Sequence, residues 1–171
     1  MGRADFLYSG FISKLAYPPT TCQDALLRKV ADFVSSDEDD ILVVNGYAGT
    51  GKTTAVSAVI SLLKEYQTKC VLLAPTGRAA KVLSSYAGQQ AYTIHKHIYR
   101  QKSVGGDGFG QFSIAPNKDK ETLFVVDEVS LIGIDAGQQQ STASFGSGNL
   151  LEDLISFVRS GAECKVILIG D

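Results

Sequence analysis

Long apolar runs are missing from this chain: none reaches the roughly 18 residues that a membrane-spanning helix needs. The opening stretch, MGRADFLYSGFISKLAYPP, holds no continuous apolar core of the roughly 7–15 residues that a secretory signal uses, so no signal peptide is expected. Cysteine is scarce. Cys22, Cys70 and Cys164 are isolated and odd in number, which argues against a disulfide framework or a zinc site. They fit buried structural thiols in a reducing compartment, and a cytoplasmic location is expected. Acidic residues are absent from Tyr66 to Gly106, where Lys69, Arg78, Lys81, Lys96, Arg100, Lys102 and both histidines lie. The ten other basic residues face all 18 acidic ones, so a basic block sits inside a chain of net charge −2. Such a block marks a polyanion-facing surface or, more plainly, a solvated basic face. No internal repeat is visible.

What is present fits one ordinary α/β domain. At 171 residues the chain can bury a real core, and 44% hydrophobic with 20% charged residues is a soluble globular balance. Thr21 and Asp24 read as the start of an amphipathic helix carrying Leu26, Leu27, Val30, Phe33 and Val34 at helical spacing. ILVV (41–44), CVLLAP (70–75), TLFVVDE (122–128) and VILIG (166–170) read as buried strands. Residues 52–66 read as a helix apolar nearly all round and sandwiched between layers, and 78–86 as another. Asn149 with Glu152 marks a further helix start. Gly105, Gly106, Gly108 and Gly110 mark a flexible excursion, and 136–148 a polar Gly/Ser/Gln-rich loop. Strands alternating with helices predict a parallel sheet covered on both faces.

GYAGTGKT, residues 46–53, fits the phosphate-binding loop pattern G-x-x-x-x-G-K-[ST] in full, between an apolar strand and a helix. Gly46, Gly49 and Gly51 let backbone N–H groups approach phosphates with no Cβ in the way. The helix adds its positive N-terminal end. Lys52 is expected to reach the β- and γ-phosphates of ATP, and the Thr53 hydroxyl to ligate Mg²⁺. Thr50 and Thr54 complete the expected nucleotide-binding set. LFVVDE supplies a second half: Asp127 emerges at the end of an apolar strand, where it can hold Mg²⁺. Glu128, expected on the opposite side of the pleat, can accept a proton from the water attacking the γ-phosphate.

TGRAAKVL after the second strand, TIHK at 93–96, VVDEVS and ILIGD, together with GYAGTGKTT and the PTTCQ context of Gln23, stand in a characteristic order. In that order the chain resembles the RecD-like DNA helicases of superfamily one, the 5′-to-3′ branch that includes the exodeoxyribonuclease V alpha subunit. The resemblance spans about residue 18 to 171 and implies a RecA-like P-loop NTPase fold. It divides the chain into 1–40, an N-terminal segment with an adenine-side helix, and 41–171, a first motor domain (1A). It also implies site roles. Gln23 would read the adenine edge, and Tyr17 could pack on the base. Pro75, Thr76, Gly77 and Arg78, and then Thr93, His95 and Lys96, would face single-stranded DNA, in segments that both lie inside the basic block. His95 and His97 lack a third metal ligand nearby, and no nuclease metal cluster is evident.

The family pattern continues past the strand ending in Gly-Asp to a γ-phosphate-sensing glutamine, a second RecA-like domain and an arginine finger, so a chain ending at Asp171 reads as truncated. Ending on a buried strand predicts local weakness there. The resemblance further implies subunits of helicase–nuclease complexes as possible partners, with roles in DNA repair and recombination. Two other readings remain open on the residues alone: a P-loop kinase or phosphotransferase, and a non-catalytic nucleotide-dependent binding module.

Overall fold

Five short apolar runs pair into one parallel sheet: β1 (Ile41–Asn45), β2 (Cys70–Ala74), β3 (Ala91–Thr93), β6 (Leu123–Val126) and β8 (Lys165–Gly170). The structure, a computed structural model, describes residues 2–45, 51–104, 110–132, 144–145 and 148–170. The strands lie in the order β1-β8-β6-β2-β3. Parallel neighbours need crossovers, and the helices supply several of them. Side chains alternate across the pleat, which gives the sheet two apolar faces. Val44, Leu72, Ala74, Val125, Ile167 and Ile169 share one core with α1 (Arg3–Ser13), α2 (Thr21–Ser35), α3 (Lys52–Glu65) and α4 (Gly77–Ala87). Leu73, Phe124, Val126, Val166 and Leu168 share the other with α5 (Ile94–Ile98) and α6 (Leu150–Arg159). The expected α/β architecture with both faces covered is therefore present.

The strand VILIG gains Lys165 and lies between β1 and β6. Val166, Ile167, Leu168 and Ile169 are all buried. The local weakness expected of this strand is not what its position suggests, because it is interior while β1 has one neighbour among the described residues. The strand expected over 122–128 is shorter than that, Leu123–Val126, which is its apolar run alone. The first long helix is capped by Thr20 rather than Thr21. The reason is local: Thr20 Oγ1 accepts from the Gln23 N–H at 3.2 Å, and the Gln23 side chain returns to the Thr20 N–H at 3.0 Å. Asp24 is instead engaged by Tyr8 and Arg28.

The glycine-rich excursion is bracketed by an antiparallel pair, β4 (Tyr99–Val104) and β5 (Gly110–Ile114), with Gly105–Gly108 outside the described residues. Within the polar stretch 136–148, Ser144 and Phe145 form β7 beside β5; of the rest only Gly148 is described. Two thiols, Cys70 and Cys164, are buried as expected, and burial pushes Cys70 up to about 12. Cys22 is exposed, because it stands in the first turn of α2 on the side away from the core. α3 buries Ala55, Val56, Ala58, Val59, Ile60, Leu62 and Leu63, consistent with a sandwiched helix. Its partner α1 approaches so closely that a Cβ at Gly10 would stand 2.6 Å from Leu62 Cδ2. Helices α1 and α2 thus belong to the same core as the sheet.

Two polar ties fix the junction that delivers β1. The Lys165 ammonium donates to the carbonyls of Phe33 (2.8 Å), Val34 (3.4 Å) and Ser36, satisfying orphan carbonyls at the end of α2. The Arg159 guanidinium grips both oxygens of Asp40 at 2.9 and 3.3 Å and, chiefly through that hydrogen bonding, holds its carboxyl below the ordinary value. No helix among the described residues is long and apolar enough to cross a membrane.

Candidate functional site

Parallel strands all end at the same edge of a sheet, and there this chain gathers its polar chemistry. β1 leads into residues 46–50, so the predicted contacts of Gly46, Gly49 and Thr50 lie outside the described residues. The description resumes at Gly51, the N-cap of α3, with φ 76° and ψ 18°. Only glycine adopts that left-handed conformation without strain. A Cβ there would also stand 2.3 Å from Nε2 of Gln23. Lys52, half-buried, opens α3, followed by exposed Thr53 and Thr54. Anions are favoured at such a helix start, where N–H groups lack intrahelical partners.

Gln23 reaches this helix start from α2. Its Nε2 donates to the Gly51 carbonyl at 3.1 Å while its Oε1 accepts from Thr20. The residue expected to face adenine is therefore spliced between a helix cap and the phosphate loop. Tyr17 is 82% exposed and is not held in the core.

Asp127 follows β6, two strands from β1 and hence about 10 Å away at a spacing of about 4.8 Å per strand. It is 6% exposed. Its Oδ1 accepts from the Glu128 N–H at 2.9 Å, and its Oδ2 from the Tyr86 hydroxyl at 2.6 Å. Burial first, then the hydrogen bond to Asp127, hold the Tyr86 phenol well above its ordinary range, so it remains a donor. Glu128 is not on a pleat, in contrast to the sequence expectation. The strand has ended, and Glu128 has φ 59° and ψ 38° as it caps a 3₁₀ turn over Val129–Leu131. Gln67, Glu121 and Glu163 share positive φ. The conformation of Glu128 alone therefore does not single it out, but its place beside Asp127 does.

The oxygen donors suit Mg²⁺. A carboxylate offers about four lone-pair positions, of which two are used on Asp127. Thr53 adds an exposed hydroxyl. Mg²⁺ typically takes one or two carboxylates and completes its shell with phosphate oxygens and water. Among the described residues no group of three or more His, Cys, Asp or Glu could hold a metal by itself, so such a site depends on phosphates.

The segments expected to face single-stranded DNA also adjoin. Ala74 pairs with Thr93, so the ends of β2 and β3 adjoin. Thr76 caps α4, its Oγ1 accepting from Ala79 N–H at 3.1 Å, and Thr93 caps α5, accepting from Lys96 N–H at 3.3 Å. Gly77, Arg78 and Lys96 are exposed, whereas Pro75 is buried and His95 half-buried with its ring 5.6 Å from Tyr99. The basic block is thinner in space than in sequence. Lys69 pairs with Asp119. His97 packs edge-on against Phe124 and Phe157, and desolvation holds it below its ordinary value. It is a half-buried histidine packed against aromatic rings.

Tyr86 was not legible as a site residue. It lies 41 residues from its partner, and no local pattern links the two. Thr20 could have been found, since it stands three residues before a glutamine, the spacing of a capping box.

Comparison with known proteins gives a consistent result. A family model described as an AAA domain matches residues 23–171. The chain is 34% identical over 131 residues to the ATP-dependent RecD2 DNA helicase of Deinococcus radiodurans, covering 77% of this chain and 15% of that protein. It is 46% identical over 97 residues to the ATP-dependent DNA helicase dda of Enterobacteria phage T4, covering 53% and 21%. It is 31% identical over 130 residues to the multifunctional conjugation protein TraI of Escherichia coli, covering 71% and 7%. The chain thus spans only a small part of each of these relatives.

Proposed function

The chain belongs to this AAA-domain family, on its RecD-like helicase side, and from that premise we propose that it is an ATP-binding motor module of a DNA helicase. The observation that carries the reading is the strand order β1-β8-β6-β2-β3. It sets the phosphate-loop strand, the aspartate strand and the two segments capped by Thr76 and Thr93 along one edge of one sheet. ATP phosphates would lie at the start of α3, with Lys52 against the β- and γ-phosphates. Mg²⁺ would be held by Thr53 and Asp127, neutralising phosphate charge. Glu128 would take the proton of the attacking water. Gln23 would face adenine only after exchanging its present bond to Gly51, which makes adenine binding and the arrangement of Gly51 mutually dependent. Single-stranded DNA would run over Thr76, Gly77, Arg78, Thr93 and Lys96, where hydroxyls, backbone N–H groups and cations suit a phosphate backbone. Pro75 and His95 would shape this track from beneath.

We further read translocation as 5′ to 3′ and location as cytoplasmic, supported by segment order and by the free thiols. Closure of a second RecA-like domain over the nucleotide would couple hydrolysis to stepping. Partner subunits of helicase–nuclease type, and roles in repair or recombination, rest on the family resemblance.

Calorimetry with Mg–ATP, with and without a short oligo-dT, tests the core of this reading. Binding is expected, it should vanish in Lys52→Ala, and the oligonucleotide should shift it. Unchanged binding in Lys52→Ala would overturn the nucleotide assignment. Nucleotide binding indifferent to DNA would instead favour a kinase or a binding module.

A further inference from the structure

Asp127 is held at two points, and only one of them is local. The Glu128 N–H is the next residue in the chain and orients Oδ1; immediately after it the backbone turns left-handed into the 3₁₀ turn. The second point comes from a different layer: the Tyr86 hydroxyl, in the last turn of α4, donates to Oδ2. One hydrogen bond leaves a carboxylate able to rotate about its Cβ–Cγ bond, whereas two, on different oxygens, fix its plane.

Tyr86 is itself set on a fixed post. Ala80 and Leu83 bury the inner face of α4, and Gly88 closes the helix with its N–H on the Ser84 carbonyl. Ser84 Oγ accepts from the Ala91 N–H of β3 at 2.8 Å, and Gln89 Nε2 donates to the Cys70 carbonyl of β2 at 2.7 Å. The phenol therefore reports the position of the sheet and not that of a mobile side chain.

We propose that Tyr86 is a positioning residue for Asp127, presenting its remaining lone pairs in the orientation that Mg²⁺ on bound ATP requires. The inference rests on the nucleotide reading above. Loss of a partner that orients a metal-holding side chain typically costs about 10–100-fold in metal affinity or activity. The opposite role, a phenol that masks the carboxylate and must leave, predicts an effect of opposite sign.

The chain contains its own control. Tyr99 donates to Oδ2 of the buried Asp153 at 2.5 Å, the same chemistry on the second core. The test is a calorimetric titration of the full chain with ATP, in Mg²⁺ and in EDTA, for wild type, Tyr86→Phe and Tyr99→Phe. Tyr86→Phe keeps the ring and removes only the donor. It is expected to lower Mg–ATP affinity roughly tenfold while leaving metal-free ATP affinity unchanged. Tyr99→Phe should leave the ratio of the two affinities at its wild-type value, even where it lowers thermal stability. If Tyr86→Phe does not fold, Tyr86→Leu, which also lacks the donor, takes its place. A Mg²⁺ enhancement that is unchanged or larger in the Tyr86 variant overturns the inference, as does an equal loss in Tyr99→Phe. A wild-type chain whose ATP affinity ignores Mg²⁺ overturns the metal role of Asp127 as well, so the two failures are distinguishable.

Discussion

The side-chain amide of Gln23 donates to the carbonyl of Gly51 at 3.1 Å, joining the first turn of α2 to the N-cap of the phosphate-loop helix. The two residues lie 28 positions apart, and each constrains what the other can be.

Gly51→Ala should therefore be costly in two ways. The left-handed backbone costs roughly 1–2 kcal/mol for a residue with a Cβ, and that Cβ meets the Gln23 amide at 2.3 Å. Gln23→Ala removes the second penalty but not the first. Denaturant unfolding of both single variants and the double should show a coupling of about 1 kcal/mol, the double being less damaged than the sum. Strict additivity would show that the two residues do not constrain each other.

Stability should fall in mildly acid solution because of His97. Desolvation among Phe124 and Phe157 is the main cause of its depressed pKa, partly offset by Asp119, with Lys69 acting in the same direction as burial. A histidine whose folded pKa lies below the unfolded value of 6.5 binds a proton more readily when unfolded. Its contribution is thus fully present above that value and is lost as pH falls toward the folded pKa. Melting temperature should decline as pH drops below the unfolded value, and His97→Phe should flatten that part of the profile. An identical slope in the variant would assign the acid sensitivity elsewhere.

Amide exchange should be slower in β8 than in β1. β8 has hydrogen-bonded neighbours on both sides, β1 and β6, whereas β1 has one among the described residues and Val43 is 58% exposed. Residues 166–169 should exchange roughly tenfold or more slowly than the outward-facing amides of 41–45. Faster exchange at 166–169 than at 41–45 would make β8 the weak strand of the pair, and equal rates would show that its second neighbour adds no protection.

The contrast over β8 illustrates what sequence can carry. Buried parallel strands leave a strong trace, since both faces must be apolar, and ILVV, CVLLA, LFVV and VILIG were all legible for that reason. Their lateral order was not, because nothing in VILIG says it slots between β1 and β6. The same limit applies at the site. Lys52, Thr53 and Asp127 stand in local patterns tied to strand ends and helix starts. Tyr86 acts through a contact made only once α4 is laid on the sheet. The strand β3, at Ala91–Thr93, is too short to show a period, and α1 carries only Leu7 and Phe11 as fully buried apolar anchors. Thr20 and not Thr21 caps α2 because its reciprocal partner, three residues on, is Gln23.

The two capping threonines give this edge of the sheet a polarity. A hydroxyl has one hydrogen to give and two lone pairs to receive with. At Thr76 and Thr93 a lone pair is committed inward, to Ala79 and Lys96 N–H. What each threonine then offers outward is its hydrogen and one remaining lone pair, beside the exposed cations of Arg78 and Lys96. Through those cations, such an edge favours anionic groups that receive, as phosphate oxygens do. Were single-stranded DNA to lie there as proposed, the edge would hold its anionic backbone more firmly than its neutral bases, so a motor built on it would step along a strand without regard to the letters it crosses.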